Sequence, residues 1–175
     1  MILIDEVSEK GQVMISERMQ TATLNDAPAY WFLNAVHILL AKSESEGGTY
    51  PLLHLTVPPE FSTPYHVHHT EDEAFYVLEG ELIFICDGNK IARGAGSYIF
   101  LPRGVPHGSR SSGEGTSRVL IHVMPRGPVG FIGMMLEMAT PIRQGVLPTS
   151  VPPDLAKLDA LCKKNKIDIL GALPA

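Results

Sequence analysis

Between Leu52 and Met124 short β-favouring runs alternate with clusters of Gly, Pro, Asp and Asn, and no helical period runs through the segment. Many short strands at that spacing are the pattern of an all-β sandwich or barrel. Leu52 to Val57 predicts one strand, stopped by Pro58 and Pro59, which cannot donate ladder hydrogen bonds. A second begins near Glu73. Glu81 to Cys86 predicts another, and Asp87-Gly88 supplies the positive φ angles of a tight hairpin before Asn89 to Ala92. Ser97 to Leu101 and Arg118 to Met124 complete the set, each bounded by glycine or proline. Strands this numerous and closely spaced favour a closed barrel or jelly roll, which protects its edges.

The pattern changes in the tail. After Pro153 and Asp154, Leu155, Leu158, Leu161 and Cys162 recur at helical spacing, with Lys163 and Lys164 near the end. Acid at the start and base at the end both suit the helix macrodipole, so one amphipathic helix is expected, its apolar face covering barrel wall or a partner subunit. Residues 1–48 have mixed propensities and are expected to form strands and short helical turns as an N-terminal extension. Pro125 to Gly133 reads as a connector leaving the barrel. The expected organisation is a single domain over 1–175, with a barrel core at about 50–125 and a helical tail at about 150–175.

Composition narrows the function classes. A chain of 175 residues with 45% hydrophobic content can bury a real core. A formal charge of -5 and the absence of a basic run exclude the clustered Lys and Arg that phosphate binding requires, so no nucleic-acid partner is expected. Met1 to Lys10 lacks the basic start and apolar core of a secretory signal. The longest apolar stretches, near Ala35 to Ala41 and Phe131 to Leu136, fall far short of the roughly 20 residues that span a bilayer, so no membrane role is expected. Cys86 and Cys162 form no C-x-x-C pair. A reducing cytoplasm is the simplest home, and Cys86, alternating with Leu82 and Phe84, reads as an apolar filler.

The histidines carry the chemical signal. In His66-Val67-His68 the two imidazoles stand at i and i+2, which puts both on one face of a strand. Glu73 follows across Thr70-Glu71-Asp72, and a strand from Glu73 places Glu73, Phe75 and Val77 on one side. A run from Gly96 through Pro102, Gly104 and Pro106 bends the chain before His107. Three neutral imidazoles and one carboxylate suit a divalent Fe, Mn, Ni, Co, Cu or Zn ion and leave room for water or substrate on metals that take five or six ligands. His69 lies on the opposite strand face and reads as a supporting or surface residue; Glu71 and Asp72 read as solvated turn acids, with Asp72 the rival to Glu73. His37, His54 and His122 read as packed or surface histidines, although His122 could face the cavity. Tyr65, Phe75, Tyr76 and Phe100 cluster near the candidates and suit either barrel core or an aromatic pocket.

These residues resemble the cupin superfamily, whose motifs read G-x5-H-x-H-x3,4-E-x6-G and G-x5-P-x-G-x2-H-x3-N. The first fits at His66, His68, Glu73 and Gly80; the second fits at Gly96, Pro102, Gly104 and His107. Glu60 replaces the leading glycine and Ser111 the terminal asparagine, neither a ligand position. The runs H-V-H-H-x-E-D-E-A-F-Y-V-L-E-G-E and F-L-P-R-G-V-P-H, with the tail P-P-D-L-x-x-L and I-D-I-L-G, look like bacterial single-domain proteins related to quercetin 2,3-dioxygenase. The resemblance implies a double-stranded β-helix, the cupin jelly-roll barrel, with a C-terminal helix. It further implies one divalent metal on His66, His68, Glu73 and His107, and a homodimer. It suggests a dioxygenase acting on a flavonol or another enolisable small molecule, with dioxygen as co-substrate and Glu73 accepting the substrate's hydroxyl proton. A non-catalytic ligand-binding cupin, or an isomerase or lyase using the same ion, are the alternatives.

Overall fold

The structure is a computed structural model that describes residues 21–41, 51–113, 115–125, 130–143 and 153–175. Its strands are β1 (Ala29–Phe32), β2 (Ala35–Ala41), β3 (Leu52–Val57), β4 (Tyr65–His68), β5 (Glu71–Glu79) and β6 (Glu81–Cys86). They continue with β7 (Asn89–Gly94), β8 (Tyr98–Leu101), β9 (His107–Ser111), β10 (Ser117–Pro125), β11 (Thr140–Ile142) and β12 (Ile167–Gly171). Among the described residues there are two helices, α1 (Phe131–Met138) and α2 (Leu155–Lys164), both late in the chain.

The strands form two antiparallel sheets. A seven-stranded sheet runs β11-β1-β2-β3-β10-β5-β8, and a five-stranded sheet runs β12-β4-β9-β6-β7. This is the jelly roll expected from the strand spacing. Alternation along each strand does the sorting: Leu53, Leu55 and Val57 of β3 and Val119, Ile121 and Val123 of β10 all enter the main core, joined by Leu82 and Phe84 from the other sheet. At the hairpin both Asp87 and Gly88 have positive φ, 49° and 73°, the mirror-image turn whose twist matches its strands.

Three segments differ from the sequence-based expectation. The region read as an N-terminal extension supplies β1 and β2, and β2 pairs with β3 along most of its length, so residues 29–41 are built into the larger sheet. The rest of that reading, residues 1–20 and 42–48, lies outside the described residues. The connector read at Pro125 to Gly133 ends sooner, because Phe131 opens α1, whose Met134 and Met135 are buried. The tail helix forms where the periodicity placed it, with the Asp154 carboxylate accepting from Lys157 N at 3.0 Å as an N-cap. Its buried face is narrower than the period suggests: Leu158 and Cys162 join the main core, whereas Leu155, in the first turn, is 69% exposed. A left-handed Lys166 then turns the chain into β12, which pairs with β4.

Candidate metal centre

The four motif residues converge across the two sheets. His66 and His68 lie on β4, and His107 opens β9, directly opposite His66 in the antiparallel register. Glu73 comes from the other sheet, where β5 runs between β10 and β8. One ligand atom from each of the four falls within 4.8 Å of the others. Their rings crowd at centroid distances of 4.7 to 5.5 Å.

Each imidazole is oriented from behind. His66 Nδ1 donates to Pro64 O at 2.8 Å, His107 Nδ1 donates to Val105 O at 2.8 Å, and His68 Nδ1 donates to Glu71 Oε2 at 3.0 Å. Occupying Nδ1 leaves Nε2 of every ring as the lone-pair atom, the tautomer that a metal ion requires. Nε2 of His68 and of His107 stand 3.8 and 3.7 Å from the Glu73 carboxylate, beyond hydrogen-bonding length. His107 Nε2 is buried with no hydrogen-bond partner among the described residues. A buried orphan acceptor is costly, and a cation held between it and the carboxylate removes that cost. The donor set and its orphaned nitrogen therefore fit a divalent ion.

The electrostatics agree for Glu73 and His66, and His68 is the exception. Burial raises the Glu73 carboxyl, but the neighbouring His68, with His107 and His66 behind it, outweighs burial and holds it at about 2. Burial, with His68 beside it, pushes His66 down to about 4, the neutral form that ligates metals. For His68 burial acts downward too, but the Glu73 and Glu71 carboxylates win and raise it.

Three consecutive acids have three separate tasks, and two of them correct the reading from sequence. Glu71 is not a solvated turn acid: it is 2% exposed and opens β5. Its Oε2 accepts from His68 Nδ1 and from Phe131 N at 2.7 Å, tying a candidate ligand to the first turn of α1. A Cβ on Gly130 would collide with that carboxylate, so the contact requires glycine there. Asp72 is partly buried and also not a free turn acid. It accepts from Arg103 N and Nε, both at 2.9 Å, and pairs with the guanidinium Nη2, holding the Pro102–Pro106 bend that precedes His107. Asp72 therefore works on the loop, and Glu73 is the acid that joins the histidines. Gly104 N donates to His68 O at 2.8 Å, which brings that bend against β4.

The site opens into a cavity of about 80 Å³ walled mainly by apolar side chains from both sheets and both helices, including Leu55, Val57, Leu82, Leu101, Ile121 and Met134. Its aromatic residues differ from those expected. Phe75 lines it, but Tyr76 and Phe100 are on the outer surface, 44% and 47% exposed, and Phe32, Phe61 and Phe131 take the interior positions. His69 pairs with Asp168 at the surface, His122 is exposed and faces away from the cavity, and His54 is buried on the outer side of β3. His37 lines the cavity, a placement that strand alternation with Ala35 and Leu39 could have indicated. Among the described residues no helix is long and apolar enough to cross a membrane.

A jelly roll carrying three histidines and a glutamate between its sheets defines a cupin, and the cupin-domain family matches residues 53–123: the chain belongs to the cupins. Among relatives, it is 26% identical over 120 residues to the tetracenomycin polyketide synthase protein TcmJ of Streptomyces glaucescens, covering 68% of this chain and 80% of that one. It is 30% identical over 90 residues to quercetin 2,3-dioxygenase of Bacillus subtilis, covering 51% of this chain but 27% of that enzyme. The solved structure of the polyketide cyclase RemF from Streptomyces resistomycificus superposes with a TM-score of 0.53 at 30% identity, covering 63% of this chain and 82% of RemF.

Proposed function

We propose that this protein is a metal-dependent cupin enzyme that acts on a planar phenolic or enolisable small molecule, with dioxygen as co-substrate. His66, His68, Glu73 and His107 hold one divalent transition-metal ion. The orphaned His107 Nε2, facing the Glu73 carboxylate across 3.7 Å, is the observation that carries the reading. When bound, such an ion supplies Lewis acidity that lowers the pKa of a substrate oxygen.

The remaining work belongs to the chain. Ionised Glu73 is the proton acceptor for the substrate hydroxyl, and its burial on the lining of an apolar cavity keeps competing water few. The apolar walls seat the rings of the substrate. Loss of the hydroxyl proton leaves an electron-rich carbon for dioxygen to attack. The relative named as a quercetin dioxygenase supports the oxygenase reading.

A second reading is favoured by coverage: the two Streptomyces polyketide-pathway proteins are matched over 80% and 82% of their lengths, and RemF is described as a polyketide cyclase. Cyclisation would use the same deprotonation and consume no oxygen. Oxygen uptake by protein loaded separately with Fe(II), Mn(II), Ni(II), Co(II), Cu(II) or Zn(II), across flavonols and β-dicarbonyl compounds, tests the first. Turnover that proceeds unchanged without oxygen would assign the second. Absence of product in either atmosphere would leave a ligand-binding cupin and overturn both.

A further inference from the structure

Two titratable side chains on the cavity, His37 and Cys162, play no part in the cluster, and burial keeps the Cys162 thiol protonated, which leaves His37 as the nitrogen acceptor. His37 sits on β2 with Ala35 and Leu39, the alternate positions that face the core. It is 3% exposed and lines the same cavity as the metal-site residues. Its Nδ1 donates to Ala35 O at 3.3 Å, a long contact within its own strand. That assignment leaves Nε2 as the lone-pair atom of the ring. Burial pushes its pKa down to about 4, so near neutral pH it is an uncharged acceptor.

The surroundings explain what such an acceptor is for. His37 packs edge-on against Phe32, Phe32 against Phe131, and Phe131 against His68, at centroid distances of 5.5, 6.2 and 6.1 Å. These rings form one continuous wall from His37 to a candidate ligand. Thr63 Oγ1, also on the cavity, is engaged: it donates to Ser109 O and accepts from Ser109 N. His37 and the candidate ligand His68 stand three ring contacts apart on that wall, so a flat aromatic molecule lying along it can meet both a metal-bound end and a neutral imidazole.

We infer that His37 is a specificity-determining residue whose Nε2 accepts a hydrogen bond from a second hydroxyl of the substrate, making that substrate a polyhydroxylated, planar aromatic or polyketide-like molecule. The inference rests on the phenolic or enolic reading above. It adds that an oxygen at the metal end does not suffice for tight binding.

The probes are 3-hydroxyflavone and its 7-hydroxy and 4′-hydroxy derivatives, which share one metal-binding end and differ in the remote hydroxyl. Their Kd values are measured on Zn(II)-loaded wild type, His37→Phe and His37→Gln by absorbance titration. At least one derivative is expected to bind wild type about tenfold tighter than 3-hydroxyflavone, the worth of one good buried hydrogen bond. His37→Phe erases that advantage and leaves 3-hydroxyflavone nearly unchanged; His37→Gln, which keeps an acceptor, retains part of it. An advantage that persists in His37→Phe, or no advantage in wild type, overturns the inference while leaving the metal-site reading intact. Failure of all three compounds to bind overturns both.

Discussion

In one part of the cavity three histidines are packed beside a carboxylate, each with Nδ1 fixed to an oxygen and Nε2 turned to a shared point. Elsewhere on the same cavity, three ring contacts away from His68, His37 is buried with one long contact to its own strand. The first arrangement answers the cost of burying polar atoms by collecting them around a common partner; the second answers it by giving up the charge. Burial alone thus says little about a histidine's role. What distinguishes the two arrangements is whether the free nitrogens converge.

The largest expected effect breaks the metal site. His107→Ala removes the orphaned Nε2 and one of four ligands, and divalent-metal affinity should fall by more than about a hundredfold, the upper end of what loss of a supporting contact costs. Isothermal titration with Ni(II) or Zn(II) checks it, and the rise in Tm on adding metal should shrink in parallel. Unchanged affinity would show that the four residues do not act as one site.

Next in size is a pH effect at His37. An unfolded histidine titrates near 6.5, whereas folded His37 titrates near 4, so between those values the unfolded chain binds the extra proton and stability is lost as pH falls. Between pH 7 and pH 5 the metal-free protein should lose on the order of 2 kcal/mol through His37. That part of the loss should be absent from His37→Phe. Urea unfolding of both proteins at the two pH values gives the difference directly, and equal losses would mean that His37 is not buried neutral.

A smaller effect probes the support behind the metal site. Glu71→Gln keeps the size of the side chain but removes the charge that His68 Nδ1 and Phe131 N both face. Metal affinity should drop about tenfold, the lower range for an outer partner of a ligating histidine. Because Glu71 also holds the start of α1, amide exchange at Phe131 should quicken in the same variant. Tight metal binding with unchanged exchange would reduce Glu71 to a packing residue.

These contrasts also mark what could be read before the fold was known. The strand limits at Leu52–Val57 and Glu81–Cys86 were legible because alternation, proline stops and an Asp-Gly turn act within a few residues. Strand periodicity put His66 and His68 on one face, but the convergence of Glu73 and His107 with them, from β5 and β9, was legible only through the resemblance to the cupin motifs. Glu71 was misread because its partners are not local: Phe131 N lies sixty residues on and places the acid inside the protein. The same limit hid α1 and β12, whose positions depend on docking against the core and against β4. His37 was only half legible: alternation with Ala35 and Leu39 turns it to the core face, but that this face borders the same cavity as the four clustered residues depends on how the sheets pack.

The smallest expected effect concerns the histidine that stands nearest the site in sequence without belonging to it. His69 follows His68 directly, yet alternation turns it to the other face, where it is 48% exposed and its Nε2 meets Asp168 Oδ2 at 2.8 Å. Exposed pairs of this kind contribute roughly 0 to 1 kcal/mol, because solvent screens them and ordering two side chains offsets the attraction. The backbone bond from His69 N to Lys166 O at 2.9 Å, which joins β4 to the turn before β12, survives any side-chain change. His69→Ala should therefore shift unfolding by less than about 0.5 kcal/mol and leave metal affinity at the wild-type value. A loss of affinity comparable to that of His107→Ala would place His69 among the ligands and undo the assignment of roles by strand face.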